Sequence, residues 1–72
     1  MNNYNTNYYR LLGVSPNADL AEIRSAYKKL CKVAHPDVGG STEAMQLLNE
    51  AYRILSEPSA RSAYDNWYNK NI

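Results

Sequence analysis

Two long amphipathic patterns, separated by a short segment that a helix cannot cross, constrain the fold of this chain most strongly. Apolar residues recur every three or four positions from 20 to 34, and a second stripe runs from 44 to 55. Between them, Pro36 disfavours helix at the residue before it, while Gly39 and Gly40 permit a turn. Only about six residues connect the patterns, which favours an antiparallel helical hairpin. The sequence therefore predicts an all-α domain built on this hairpin.

Local signals place the ends of four predicted helices. A short first helix ends at Gly13, and a capping arrangement at Asp19 starts the second helix, which runs from about residue 19 to 34. Ser41 or Thr42 caps the third helix, whose broad apolar stripe should contact more than one neighbour. Pro58 fits the first turn of a fourth, shorter helix. No segment alternates with a period of two, so we expect no strand.

A chain of 72 residues forms one domain with a thin core. We expect a flexible N-terminus over residues 1–7, the folded domain over residues 8–68 and a C-terminal tail over residues 69–72. Phe is absent, so the seven Tyr must supply most of the aromatic packing. Arg61 and Asp65 are spaced for an ion pair on the fourth helix. The predicted core residues are Tyr9, Leu12, Ile23, Tyr27, Leu30, Leu48, Tyr52, Leu55 and Tyr64.

Charge and cysteine content exclude several classes of protein. The net charge is +1, which gives no whole-chain argument for binding nucleic acid or a membrane surface. The first seven residues lack the charge and apolar run of a signal peptide, and no apolar stretch is long enough to span a bilayer. A single cysteine, Cys31, cannot form an internal disulfide and suits a reducing compartment. We therefore expect a cytoplasmic protein that is monomeric in isolation.

The segment VAHPDVGG, residues 33–40, holds the most distinctive chemistry of the chain, including its only histidine. One His, one Cys and one Asp are too few ligands for a metal site, so we predict no metal and no cofactor. An exposed His-Asp pair without a nucleophile or a cleft does not indicate an enzyme. Two interpretations remain at this point. The segment is either a plain helix stop, with His near the helix end complementing its dipole, or a contact surface for a partner.

The second predicted helix carries a basic face opposite its apolar stripe. Arg24, Lys28 and Lys32 follow at four-residue spacing, with Lys29 beside them. Such a charge run is either a solvated face or a surface that steers a partner. It is a weak candidate for binding nucleic acid, because four charges release few counterions and no exposed aromatic platform accompanies them.

The order of these motifs resembles the J-domain of the DnaJ co-chaperone family from about residue 8 to residue 68. YYRLLGVSPNAD resembles the first helix and turn of that family, IRSAYKKL its second helix, and HPD its signature tripeptide. LNEAYRILSEPSARSAYD is similar to its third and fourth helices, and HPDVGGS to the short HPD-x-Gly-Gly loops of one subset. The chain departs from the common pattern at Val33, Ala34, Val38 and Met45.

This resemblance implies a function through a partner. Members of the family stimulate ATP hydrolysis by a DnaK-type heat shock protein 70 chaperone and are not themselves catalysts. By resemblance, His35, Pro36 and Asp37 engage that partner, with Asp37 pairing to an arginine. The basic face, formed by Arg24, Lys28, Lys29 and Lys32, would meet an acidic patch. The alternative is a scaffold or antagonist that keeps the fold without stimulation, and the intact tripeptide favours the activator.

Overall fold

The computed structural model describes residues 6–72, and within that range it contains four α-helices and no strand. The helices are α1 (Tyr8–Leu12), α2 (Leu20–Ala34), α3 (Thr42–Ser56) and α4 (Pro58–Asn71), with a 3₁₀ turn at Pro36–Val38 between α2 and α3. This arrangement confirms the all-α prediction. None of the helices in residues 6–72 is long and apolar enough to cross a membrane.

Antiparallel packing of α2 and α3 forms the centre of the fold. Arg24, near the start of α2, reaches Tyr52 near the end of α3, whereas Ala34 and Ala44 line one groove at the opposite end of the pair. The broad apolar stripe of α3 also packs on α1 and α4, as predicted. The turn that joins α2 to α3 therefore lies at one tip of the hairpin.

Side-chain caps fix the helix ends near the predicted positions. Asn7, Asp19, Ser41 and Glu57 each accept a hydrogen bond from the backbone amide three residues later, at 3.1, 2.9, 3.0 and 2.7 Å. Ser41, rather than Thr42, is the cap of α3. Gly13 ends α1 with a φ of 72°, a left-handed conformation that glycine adopts without steric cost.

The fourth helix extends into the predicted C-terminal tail. It continues through Asn71, so residues 69–71 of the predicted C-terminal tail are helical, and α4 is only one residue shorter than α2 and α3. At the other terminus, residues 1–5 of the predicted flexible segment lie outside the described residues. The carbonyl of Thr6 accepts a hydrogen bond from the Tyr64 hydroxyl at 2.7 Å, which ties this part of the chain to α4.

The buried core surrounds α3, because α1, α2 and α4 each pack against that helix. From the predicted set, Tyr9, Leu12, Ile23, Leu48, Leu55 and Tyr64 are buried, and Tyr8, Ala18, Ala51 and Ile54 join them. The remaining predicted core residues are less deeply buried than expected. Tyr27, Leu30 and Tyr52 are half-buried and pack against the edge of the core. The rings of Tyr27 and Tyr52 stack at 4.3 Å, and their hydroxyls bond to Asn49 and Arg24. Asn49 and Arg24 are themselves exposed, so each hydroxyl lies at the surface end of its ring.

A polar cluster joins α4 to α1 and to the turn before α2. The Tyr9 hydroxyl donates to Asp65 and accepts from Arg61 Nε at 3.1 Å. Arg61 Nη2 also donates to the carbonyls of Pro16 and Ala18, at 3.1 and 2.7 Å. The predicted ion pair between Arg61 and Asp65 is present at 3.9 Å. Burial, with the hydrogen bond to Asp65, raises the pKa of Tyr9 to about 12.

Candidate partner-binding site

The His-Pro-Asp segment forms a tight 3₁₀ turn that starts where α2 ends. His35 is extended, with φ −65° and ψ 135°, which is the conformation that a following proline favours. Its carbonyl accepts from the Val38 amide at 3.0 Å, and the Pro36 carbonyl accepts from Gly39 at 3.2 Å. Gly39 then turns the chain with a φ of 91°. Because its hydrogen bonds are internal, the turn holds its shape without using the core.

The two ionisable side chains of the turn face solvent. The His35 side chain is 52% exposed and the Asp37 side chain 88% exposed. The backbone amide of Asp37 donates to His35 Nδ1 at 3.2 Å, so neutral His35 carries its hydrogen on Nε2. One Asp37 carboxylate oxygen lies 3.6 Å from the same Nδ1. The Asp37 carboxylate is therefore presented to solvent by a turn whose backbone the imidazole helps to hold.

The basic residues of α2 are all exposed, but they do not form one row. Arg24, Lys28 and Lys32 follow at four-residue spacing, and Arg24 Nε donates to the Tyr52 hydroxyl at 3.3 Å. Lys29 instead lines a shallow pocket that also includes Gly13, at the end of α1. Within residues 6–72, the carboxylates that lie within 4 Å of a basic nitrogen are Asp37, beside His35, and Asp65, beside Arg61. The four cations of α2 therefore have no carboxylate partner there.

Two contacts in the described structure have no signal in the sequence. Gly40 contacts the backbone of Ala34, a close approach that no local pattern indicates. The bonds from Arg61 to Pro16 and Ala18 fix the turn before α2, and they join residues 45 and 43 positions apart in the chain. The four-residue spacing of Arg61 and Asp65 predicts their ion pair, but it does not predict that Arg61 also bonds to the carbonyls of Pro16 and Ala18. Among residues 6–72, no group of three His, Cys, Asp or Glu side chains is close enough to hold a metal ion.

Comparison with known families settles what kind of domain carries this turn. The model of the DnaJ domain family matches residues 7–65, which include α1, α2, the turn and α3. The chain belongs to the DnaJ domain family. The matched range of this J-domain contains the whole His-Pro-Asp turn and every basic residue of α2.

Several known proteins contain a segment similar to this J-domain. It is 54% identical over 59 residues to the tetratricopeptide repeat and J domain-containing co-chaperone DNJ1 of Cryptococcus neoformans, covering 82% of this chain and 11% of that protein. It is 48% identical over 63 residues to chaperone protein DnaJ 2 of Thermus thermophilus, covering 83% and 22%. A DnaJ protein homolog of Cucumis sativus is 44% identical over 63 residues, covering 88% and 15%. The chain thus spans 11–22% of the length of these relatives.

Proposed function

We propose that this J-domain is a co-chaperone module that binds a DnaK-type heat shock protein 70 chaperone and stimulates its ATP hydrolysis. The observation that carries the proposal is the Asp37 carboxylate, 88% exposed on a hydrogen-bonded turn at the tip of the hairpin. The similarity to proteins named as a co-chaperone and as chaperone protein DnaJ supports it. The J-domain is an activator in this proposal, and the ATPase site belongs to the partner.

Asp37 acts in this proposal by pairing with an arginine of the partner. A carboxylate accepts two parallel hydrogen bonds from a guanidinium, which gives both energy and a fixed orientation. The turn already holds the backbone of Asp37 through the His35 imidazole, at 3.2 Å, before any partner arrives. A group that is ordered in advance loses less conformational entropy on binding. The ordered turn therefore lowers the entropy cost of pairing Asp37 with the arginine of the partner.

The basic row formed by Arg24, Lys28 and Lys32, together with Lys29 beside it, has a different role, which is to attract an acidic patch on the partner. These exposed charges have no carboxylate partner within residues 6–72, so their field is available to an approaching surface. Complementary charge of this kind raises the association rate and fixes orientation more than it adds affinity. His35, Pro36 and Asp37 then make the specific contact at the end of the same helix.

The proposal includes a monomeric domain that acts in the cytoplasm without binding nucleic acid or a membrane. The net charge of +1 supports this, because the attraction of the chain for a polyanion is small. Cys31, half-buried in α2, is a free thiol within the described structure and is compatible with a reducing compartment.

Single-turnover ATP hydrolysis by a purified DnaK-type chaperone tests the proposal. The unmodified J-domain should raise the hydrolysis rate, and Asp37→Asn should lose most of that stimulation. An unpaired charge at a desolvated contact costs about 2–5 kcal/mol. Glu50→Gln is the matched control, because Glu50 is exposed on α3 and the substitution removes the same charge. It should stimulate normally.

Two results would point elsewhere. If the Asp37→Asn domain is folded and still stimulates hydrolysis fully, the turn acts only to end α2 and does not contact the partner. An unmodified domain that binds the chaperone without changing its hydrolysis rate would instead favour the scaffold or antagonist.

A further inference from the structure

Gly40 lies where the chain leaving the turn passes over the last residue of α2. A Cβ atom at this position would overlap the carbonyl oxygen and carbon of Ala34 and would lie 2.6 Å from its Cα. All three atoms belong to the helix backbone, so none can move aside as a flexible side chain would. Gly40 is not among the glycines with positive φ, so glycine is required here for space and not for backbone conformation.

The same residue closes the hydrogen bonding around the tripeptide. The Gly40 amide donates to the His35 carbonyl at 3.0 Å, and this carbonyl also accepts from Val38 at 3.0 Å. Gly39, one position earlier, has the left-handed φ of 91°, but nothing lies within 4 Å of the place a Cβ atom would take there. The two adjacent glycines therefore meet different requirements: Gly39 turns the chain, and Gly40 lets the turn close against α2.

We propose that Gly40 is a positioning residue for Asp37, and this inference rests on the proposed co-chaperone function. A side chain at position 40 lifts the turn away from Ala34 and breaks the hydrogen bond from position 40 to the His35 carbonyl. The carboxylate of Asp37 then points in a different direction from the partner's arginine. Residues 35–39 are all exposed, so the core does not depend on this closure.

The test compares Gly40→Ala with Gly39→Asn, both in the full chain. Asparagine tolerates the left-handed conformation better than most other non-glycine residues, and its Cβ would meet open space at position 39. We expect Gly40→Ala to keep its helical circular dichroism and a cooperative melt, yet to lose about tenfold or more of the maximal stimulation at saturating J-domain. Gly39→Asn should retain most of the stimulation, although its added side chain is larger.

Nuclear magnetic resonance of the isolated domains adds a measurement that a general loss of stability would not change. In the unmodified domain, the Asp37 amide donates to His35 Nδ1, and the nitrogen shifts of the imidazole report that bond. Gly40→Ala should lose this signature, and the amide at position 40 should exchange faster with solvent than in the unmodified domain, because its hydrogen bond to the His35 carbonyl is lost. Signals from the buried Tyr64 should stay unchanged. The salt dependence of partner binding should also persist, because the basic row of α2 is intact.

Each outcome supports or overturns the inference. Equal losses of stimulation in Gly40→Ala and Gly39→Asn would assign the effect to added bulk beside the partner and overturn it. Full stimulation by Gly40→Ala, or loss of its folded core, would overturn it as well. If the unmodified domain does not stimulate, the proposed function has failed, whereas the signature of the His35–Asp37 bond still tests the positioning effect in the free protein.

Discussion

At the scale of single residues, His35 has a structural contact that can be separated from the contact proposed for it with the partner. Its Nδ1 caps one backbone amide of an exposed turn, at 3.2 Å. Losing such a bond, with water free to replace it, should change the free energy of unfolding by less than about 1 kcal/mol. His35→Gln should therefore melt nearly as the unmodified domain does but lose most of the ATPase stimulation. Melting and single-turnover assays on one sample check this. A large drop in melting temperature would make the imidazole a structural residue.

Tyr9 gives a second prediction, on the dependence of stability on pH. Its folded pKa of about 12 lies above the ordinary tyrosine value of about 10, because burial and the bond to Asp65 disfavour the phenolate. The resulting stability is fully present below about pH 10 and is lost as the pH rises through about 12. Denaturant titrations across this range should show the loss. Tyr9→Phe should lose less stability as the pH rises, because it has no phenol at position 9 to ionise. Tyr68→Phe keeps the Tyr9 hydroxyl and should lose as much stability as the unmodified domain.

What the sequence can predict about single residues depends on how far apart their partners are. The turn at residues 35–37 is predictable because Pro36 restricts the backbone next to it, which is a local effect. The contacts of Arg61 with Pro16 and Ala18 depend on where α4 is placed by the packing of the whole domain, as does the approach of Gly40 to Ala34. No local preference encodes such distances.

At the scale of elements, the surface of α2 divides its lysines into two environments. Lys28 belongs to the row with Arg24 and Lys32, whereas Lys29 borders the pocket beside the end of α1. Reversing both Lys28 and Lys29 to Glu should slow association with the partner while helix content is kept, since both are exposed. Lys28→Glu alone should slow it more than Lys29→Glu, which carries the same charge change.

Stopped-flow association at low and high salt distinguishes this effect from a loss of folding. The rate for the unmodified domain should fall as salt rises, because the Debye length shortens from roughly 10 Å at 0.1 M to 3 Å at 1 M. An association rate that does not change with salt concentration would contradict electrostatic steering by the basic residues. If Lys28→Glu and Lys29→Glu slow association equally, the two lysines do not differ in their contribution.

The stacked pair Tyr27–Tyr52 connects α2 and α3 at the edge of the core, which lowers the expected cost of truncation. A fully buried aromatic residue replaced by Ala costs about 3–5 kcal/mol, and this range applies to Tyr64. Tyr27 is half-buried, so Tyr27→Ala should cost about half as much, roughly 2 kcal/mol. Denaturant unfolding of the two variants checks the order. If Tyr27→Ala lowers the free energy of unfolding as much as Tyr64→Ala does, Tyr27 contributes to stability as a fully buried core residue would.

Sequence patterns predict the helices better where apolar periodicity and end signals coincide. The predicted limits of α2 agree with the structure within one residue, because Asp19 caps its start and Pro36 stops its end. The sequence gives no signal for the end of α4, since residues 69–71 are polar and carry no periodic pattern, although the backbone bond from Ile72 to Tyr68 continues the helix. Periodicity identifies the apolar face of a helix without showing how deeply each side chain on it is buried. For this reason the sequence predicts Tyr27 and Tyr52 as core residues, although both are half-buried.

At the scale of the whole molecule, most of the large apolar side chains are used in one small core. Within residues 6–72, the exposed large apolar residues are Leu20, Val33, Val38, Leu47 and Ile72. Of these, Val33 and Leu47 border an apolar groove of about 220 Å³ between α2 and α3, which Leu11 of α1 also lines. Surfaces that hold other chains are extended apolar patches, typically larger than a few hundred Å², and two exposed side chains beside a small groove do not make one.

We therefore predict that the J-domain alone does not protect an unfolded protein from aggregation. Light scattering of an aggregating client, with the J-domain at stoichiometric amounts and no DnaK-type chaperone or ATP, should match the client by itself. Adding the chaperone and ATP should restore protection if the co-chaperone function holds. Suppression by the J-domain alone would contradict the prediction and implicate the groove. In that case Leu47→Gln, which makes one wall of the groove polar, should abolish it, whereas Val38→Gln, at an exposed apolar position outside the groove, should not.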